Sequence, residues 1–122
     1  MNKTIFLAIV AISILGCAGS PMQTGWKAEE NRNSMLKLNI NMSKEQVLET
    51  MGNPRKTEAY LIEKRNIEFW FYLTEGLTVG NKAGGIKDEH LTPLSFENGK
   101  LIGWGRNFYD RTLKYKHTIE VK

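Results

Sequence analysis

The chain has 122 residues, a formal net charge of +4 at pH 7 and a single cysteine. This length accommodates one domain rather than two, and one cysteine excludes an intrachain disulfide. The modest positive charge makes a nucleic-acid-binding protein a poor fit, so no nucleic acid is expected as a partner.

The N-terminus has the layout of a secretory signal. Lys3 precedes an apolar run over residues 5–15, and the small residue Gly16 then precedes Cys17. A basic N-terminus, an apolar middle and a small residue at the cleavage site are typical of an export signal. The run is shorter than the roughly 20 residues that a membrane-spanning helix needs. We therefore predict a signal peptide over residues 1–16.

The segment from Ile14 to Cys17 resembles a lipobox, the recognition site of the lipoprotein signal peptidase. The resemblance implies that the Cys17 sulfur carries a diacylglycerol thioether and that the exposed amine receives a further acyl chain. Ala18 follows, whereas an aspartate there is the familiar signal for retention in the inner membrane, so the resemblance implies the outer membrane. The alternative is a lone buried or reactive cysteine after an ordinary signal peptide.

Residues 18–26 are small, polar and rich in turn formers. We therefore predict a lipidated cysteine and flexible tether over residues 17–27, followed by a single domain over residues 28–122. The domain is predicted to begin with a short helix over residues 28–38, although its apolar pattern is poor.

A second helix is predicted over residues 43–51. Ser43 followed by Gln46 forms a capping box, and apolar residues then recur at helical spacing. Gly52 suits the left-handed position after a helix, and Pro54 prevents its continuation. So short a helix is marginal alone and must pack on something.

The second helix is predicted to pack on a β-sheet. Strands are expected over residues 57–62 and over the aromatic segment 68–73. Residues 92–105 are expected to form a hairpin around Asn98-Gly99, the pair favoured where both turn residues have positive φ. Its first arm, 93–97, alternates apolar and polar residues, which predicts one buried face. Together these elements predict an α+β fold, with one or two short N-terminal helices on a three- to four-stranded antiparallel sheet.

Apolar and polar residues also alternate in the C-terminal segment. Leu113, Tyr115, Ile119 and Val121 are interleaved with lysine and other polar residues. This spacing favours a further strand with a basic outer face at the edge of the sheet.

The helix motif at residues 42–47 and the stop at residues 51–54 resemble the signature of the SmpA/OmlA (BamE-like) family of small outer-membrane lipoproteins. Downstream, an aromatic strand with Trp70 and Tyr72 and a hairpin over residues 96–100 follow in the family's order. Where the family commonly has glycine before the helix, this chain has Asn41. The resemblance implies two helices against a three-stranded antiparallel sheet, and a role in outer-membrane assembly.

Candidate catalytic chemistry is sparse. Asp88, Glu89 and His90 are adjacent potential metal ligands, but neighbours on an extended chain point apart, so a solvated charged loop is favoured over a metal-dependent hydrolase. Residues 80–85 lack the Gly-Lys-Ser/Thr ending of a phosphate-binding loop. We expect no enzyme activity, no catalytic residue, no metal and no cofactor.

Two regions are candidates for binding a partner. The aromatic residues 69–72 are interpreted as core rather than as a stacking platform. Arginine and aromatic residues mix after the hairpin, a composition that interfaces favour; they are Arg106, Phe108, Tyr109 and Arg111. Alternatively, these aromatic residues belong to the edge of the core and the arginines lie at the surface around them. The glycine-rich segment 74–91 is long enough for a functional loop.

These features predict a noncatalytic scaffold or protein-interaction module in outer-membrane assembly or maintenance. It would be anchored by lipid to the outer membrane, on its periplasmic face, with an envelope protein as its partner. The alternative is a ligand-binding or inhibitor-like module that uses the loop 74–91.

Overall fold

The computed structural model describes the backbone of residues 21–77 and 84–120, and the side chains of residues 24–77 and 84–114. The predicted signal peptide, Cys17 and residues 78–83 lie outside this part of the chain. Within it, no helix combines the length and the apolar character needed to cross a membrane.

The described residues form an α+β fold, as predicted. The helices are α1 (Pro21–Met35), α2 (Lys44–Met51) and α3 (Arg106–Glu120), and the strands are β1 (Lys56–Ile62), β2 (Arg65–Leu73), β3 (Leu91–Glu97) and β4 (Lys100–Trp104). A turn of 3₁₀ helix over Asp88–His90 precedes β3. The strands form one sheet in the order β1-β2-β3-β4, with every neighbouring pair antiparallel.

Helix α2 forms for the predicted reason. The Gln46 amide donates to Ser43 Oγ at 3.2 Å, and the Ser43 amide donates to Gln46 Oε1 at 2.9 Å. Gly52 ends the helix with φ of 74°. Asn41 also has a positive φ, of 73°, a conformation that asparagine tolerates better than most residues. Asparagine thus adopts here a conformation that glycine also favours.

Both tight hairpins use turn residues with positive φ. Asn98 and Gly99 have φ of 49° and 80°, as the Asn-Gly pair predicts. Glu63 and Lys64 join β1 to β2 with φ of 51° and 64°, although neither residue favours this region. The sequence therefore marks the second hairpin clearly and the first one hardly at all.

The sheet is covered on both faces. We call the side that packs against α2 the α2 face, and the side that packs against α3 the α3 face. The core of the α2 face consists of Leu38, Val47, Met51, Trp70, Tyr72, Leu94, Phe96 and Leu101. The core of the α3 face consists of Ala28, Ile62, Ile67, Phe69, Phe71, Leu73 and Leu91, with Tyr60, Ile86, Tyr109 and Leu113 packed against it. The aromatic residues 69–72 are buried in the two cores, as predicted.

Two predictions are wrong, and one cause explains both. The C-terminal segment is the helix α3 and not a strand. Because α3 covers the sheet face opposite α2, the first arm of the second hairpin is buried on both sides, with Leu94 and Ser95 each 0% exposed. Tyr109 and Leu113 lie four residues apart and meet the same core, a helical spacing that the alternation further along the chain obscured.

Helix α1 begins earlier than predicted, at Pro21, so residues 21–27 are helical rather than part of a flexible tether. Thr24 Oγ1 accepts from the Leu77 amide at 3.2 Å, and Asn31 Nδ2 donates to the Leu73 carbonyl at 2.8 Å. A Cβ on Gly76 would lie 2.7 Å from Gly25 Cα, so the two backbones touch directly. These contacts order residues 24–27, which composition alone marks as a linker.

Candidate functional site

Helix α3 carries all four residues predicted to bind a partner, and its start is fixed by contacts with β3 and β4. The Gly105 amide donates to the Pro93 carbonyl at 2.9 Å, and the Tyr109 amide donates to Gly105 at 3.2 Å. A Cβ on Gly103 would lie 2.7 Å from the Phe108 ring. Only glycine therefore lets α3 approach the sheet this closely.

Tyr109 faces the core. Its ring centroid lies 4.7 Å from that of Phe69 and 5.5 Å from that of Phe71, both in edge-on geometry. Its hydroxyl donates to Glu58 Oε2 at 2.9 Å. Burial, followed by the bond to Glu58, raises the pKa of Tyr109 well above its ordinary value. This residue holds α3 on the sheet.

Arg106 also faces inward, toward the segment that leads into β3. Its Nη2 donates to the carbonyl of Asp88 at 2.6 Å and to that of Leu91 at 3.0 Å. Its guanidinium lies 5.4 Å from the centre of the Tyr109 ring. Arg106 therefore ties the end of the 74–91 loop to α3, which is a structural task.

A cationic side chain on β1 completes this polar cluster. Lys56 Nζ lies 3.1 Å from Asp88 and 3.3 Å from Glu58, and the hydrogen bond to Asp88 is the largest of the effects that raise its pKa. Tyr60 also donates to Glu58, at 3.1 Å. Glu58 thus accepts from two tyrosines and pairs with a lysine, so its charge is compensated within the fold.

Phe108 and Arg111 point away from this cluster and line a groove. The groove has a volume of about 260 Å³ and is lined by Arg65, Ile67, Ile102, Phe108, Arg111 and Thr112. We call it the α3 groove. The Arg111 guanidinium lies 5.9 Å from the Phe108 ring centre, and its Nε donates to the Asn107 carbonyl at 3.4 Å. The groove therefore has an apolar lining and two guanidinium groups at its rim.

Of the two arginines that line the α3 groove, Arg111 is the one available to an anion. Arg65 lies 3.6 Å from a Glu97 oxygen and 3.9 Å from a Glu63 oxygen, which are long contacts at the surface. Among the described side chains, Arg111 has no carboxylate partner. An arginine fork over apolar side chains is suited to a carboxylate next to an apolar group.

The structure thus divides the predicted set. Arg106 and Tyr109 hold the helix, while Phe108 and Arg111 form a surface with Arg65, Ile102 and Thr112. Arg65 lies on β2 and Ile102 lies on β4, and no pattern in the sequence connects these residues to α3. Only the register of the sheet brings them under the helix.

The side chains of the three adjacent potential metal ligands before β3, residues 88–90, do not converge. His90 is buried, and its Nδ1 accepts from the Lys87 amide at 2.9 Å, whereas Asp88 and Glu89 are exposed. No group of three potential metal ligands occurs among the described residues. Both ends of the 74–91 loop are anchored, because the Thr74 amide donates to the His90 carbonyl at 2.9 Å. Its middle, residues 78–83, lies outside the described residues, as does Cys17.

The described residues form a small α+β domain with a groove beside α3. The chain belongs to the family described as "Protein of unknown function (DUF3192)", whose model matches residues 10–111. The matched region includes α2, the whole sheet and the start of α3 as far as Arg111. No curated protein and no solved structure matches the chain.

Proposed function

We propose that this protein is a lipid-anchored lipoprotein of the outer membrane whose domain is a noncatalytic scaffold for an envelope protein. The α3 groove is the surface that receives the partner. The lipobox-like segment ending at Cys17 supports the anchor, and the resemblance to the SmpA/OmlA family supports a role in outer-membrane assembly or maintenance. The left-handed Asn41 agrees with that resemblance, since glycine is common at the same place in that family.

The α3 groove is the observation that carries the proposal. It combines exposed guanidinium groups with the Phe108 ring and the aliphatic side chain of Ile102, above the buried Ile67. Interfaces are enriched in arginine and aromatic residues, and such anchors supply most of their binding energy. The groove fits a protein segment that presents an apolar side chain beside an aspartate, a glutamate or a C-terminal carboxylate.

The test is crosslinking in intact cells from a photoreactive residue placed at Thr112, on the rim of the groove. A specific crosslinked protein is expected, and Arg111→Glu should abolish it by reversing the charge that attracts the partner. Lys37→Glu is the matched control, because it makes the same charge change at an exposed position before α2 and should leave the crosslink intact. Equal loss in both variants would reject the groove as the binding surface.

The anchor is tested separately, by labelling cells with a radioactive fatty acid. The natural chain should incorporate label and remain with the membrane, whereas Cys17→Ala should do neither. Label retained by the variant would exclude Cys17 as the lipidated residue. Because this readout does not involve the groove, the two halves of the proposal succeed or fail independently.

A further inference from the structure

The two edges of the sheet differ. The segment before α2 covers the edge of β4, where the Asn41 amide donates to the Leu101 carbonyl and the Leu101 amide donates to Met42, both at 2.8 Å. In the described part of the chain, no segment pairs with the outer edge of β1. An uncovered edge presents backbone donors and acceptors that pair readily with another strand.

The register identifies which backbone groups of β1 face outward. The Asn98 amide donates to the Asn66 carbonyl at 3.0 Å, so the backbone of Asn66 is directed away from β1. Leu61 lies opposite Asn66, and this pair is therefore not hydrogen-bonded. Because the antiparallel ladder alternates, the N–H and C=O groups of Leu61, Ala59 and Thr57 point outward from the sheet.

The side chains of these same residues are also uncovered. Thr57, Ala59 and Leu61 lie on the α2 face, beyond the reach of α2, and all three are exposed. Leu61 is 70% exposed, so this edge strand presents an uncovered apolar side chain. Ala59 and Leu61 border a groove of about 400 Å³ beside the Lys44–Glu68 ion pair. The edge thus offers apolar surface as well as hydrogen bonds.

We propose that β1 pairs antiparallel with β1 of a second copy of this chain, about a two-fold axis at Ala59. Ala59 then faces its own counterpart, and Thr57 faces Leu61 of the second copy. All three outward residues become members of hydrogen-bonded pairs, which gives about six backbone hydrogen bonds. The two sheets join into one continuous sheet, and the interface is isologous.

The length and the charges of β1 together favour this register of the self-pair. With the axis at Ala59, Arg55 lies opposite Glu63 of the second copy, and no like charges face each other. Moving the axis to residue 58 places Glu58 opposite itself. Moving it to residue 60 places Lys56 opposite Lys64, and like charges directly opposite destabilise a sheet. Registers about residue 57 or residue 61 also avoid like charges, but they leave most of each β1 unpaired, whereas the register about Ala59 pairs the whole of Lys56–Ile62.

Cysteine crosslinking of the purified full-length chain tests the pairing. Hydrogen-bonded partners have Cα atoms about 5.5 Å apart, which suits a disulfide. Ala59→Cys should give several-fold more disulfide-linked dimer under mild oxidation than the natural chain, whose Cys17 sets the baseline. Thr57→Cys alone and Leu61→Cys alone should stay at that baseline, but a mixture of the two should crosslink.

Uniform crosslinking by all three single variants would indicate random collision and overturn the proposal, as would baseline crosslinking by Ala59→Cys. A charge swap gives a second readout by sedimentation. Ala59→Lys and Ala59→Glu should each be monomeric, because like charges meet at the axis, whereas their mixture should form heterodimers. Both substitutions are exposed and leave the fold intact. Dimers of either variant alone would reject this axis.

Discussion

The two faces of the sheet are covered in different ways. On the α2 face, a helix of eight residues seals an almost wholly apolar core, with Val47 and Met51 as its buried contacts. On the α3 face, the helix contributes Tyr109 and a polar cluster around Glu58, and it leaves a groove with arginines at its rim. The first face is organised for stability, whereas the second combines packing with an accessible surface.

This difference is the reason that we place the proposed binding site on the second face. The polar cluster keeps α3 in position without using Phe108 or Arg111, so these side chains are available at the surface. The proposed partner would therefore bind and leave the α3 groove without disrupting the core beneath it. Substitutions on the two faces test that separation, and those in the core are expected to have the largest effect.

Removal of a buried aromatic ring should have the largest effect on stability. Phe69 is 0% exposed and contacts Tyr60 and Tyr109, so Phe69→Ala should lower the free energy of unfolding by about 3–5 kcal/mol. Urea denaturation measures this change. The matched variant on the other face, Phe96→Ala, should cost a similar amount. A much smaller loss for Phe69→Ala would mean that α3 is not part of the core.

Adding one methyl group under α3 should also destabilise the protein. Gly103→Ala places a Cβ against the Phe108 ring and should cost about 1–3 kcal/mol by overpacking. Combining it with Phe108→Ala should recover much of that loss, because the ring that clashes is gone. Absence of any recovery in thermal unfolding would place the strain elsewhere than at this contact.

Tyr109→Phe should cost about 1.5 kcal/mol, since it removes a hydrogen bond to a charged group. It should also flatten the alkaline dependence of stability. Burial raises the pKa of Tyr109 and of Tyr72 above 10, so above that pH the unfolded chain loses these protons first and stability falls. Denaturation between pH 8 and about 11 measures the slope, and Tyr72→Phe is the comparison on the α2 face. An unchanged slope in Tyr109→Phe would contradict the raised pKa of Tyr109, and with it the burial of this hydroxyl beside Glu58.

Ser43→Ala should lower stability by about 1 kcal/mol, because α2 loses its N-terminal cap. Ser43→Asp keeps an acceptor at the same place and should lose little. The two variants are compared by urea denaturation. Equal losses would show that the hydroxyl acts through something other than capping.

Ser95→Ala should have the smallest effect. Among the described residues, Ser95 Oγ is buried without a hydrogen-bond partner, so its removal exposes no orphaned group. The expected change is within about 0.5 kcal/mol, in either direction. A loss above about 1 kcal/mol in thermal unfolding would reveal a partner for this hydroxyl.

Local signals predicted the α2 face well. The capping box, Gly52 and the Asn98-Gly99 turn each specify their geometry within a few residues, and all three are as expected. The polarity of residues 21–27 concealed the start of α1, because their partners, such as Leu77, are distant along the chain. The β1–β2 turn was equally hidden, since Glu63 and Lys64 adopt positive φ only under the constraint of the two strands.

The site was predictable in part. Arginine and aromatic residues at 106–111 indicated an interaction surface, but composition could not separate residues that face the core from those that face solvent. That separation depends on the helical period of α3, which the alternation after Leu113 disguised. The other side of the groove, Arg65 and Ile102, depends on strand register and had no local signature.

The backbone hydrogen bonds between β4 and residues 41–43 also have a kinetic consequence. Hairpins β1–β2 and β3–β4 close across two-residue turns, whereas Asn41 reaches Leu101 across nearly half of the chain. Closing so long a loop costs entropy, so this contact is expected to form after the hairpins. Weakening it should then speed unfolding and leave refolding almost unchanged. How long a folded molecule survives before opening would be governed by the short segment that leads into α2.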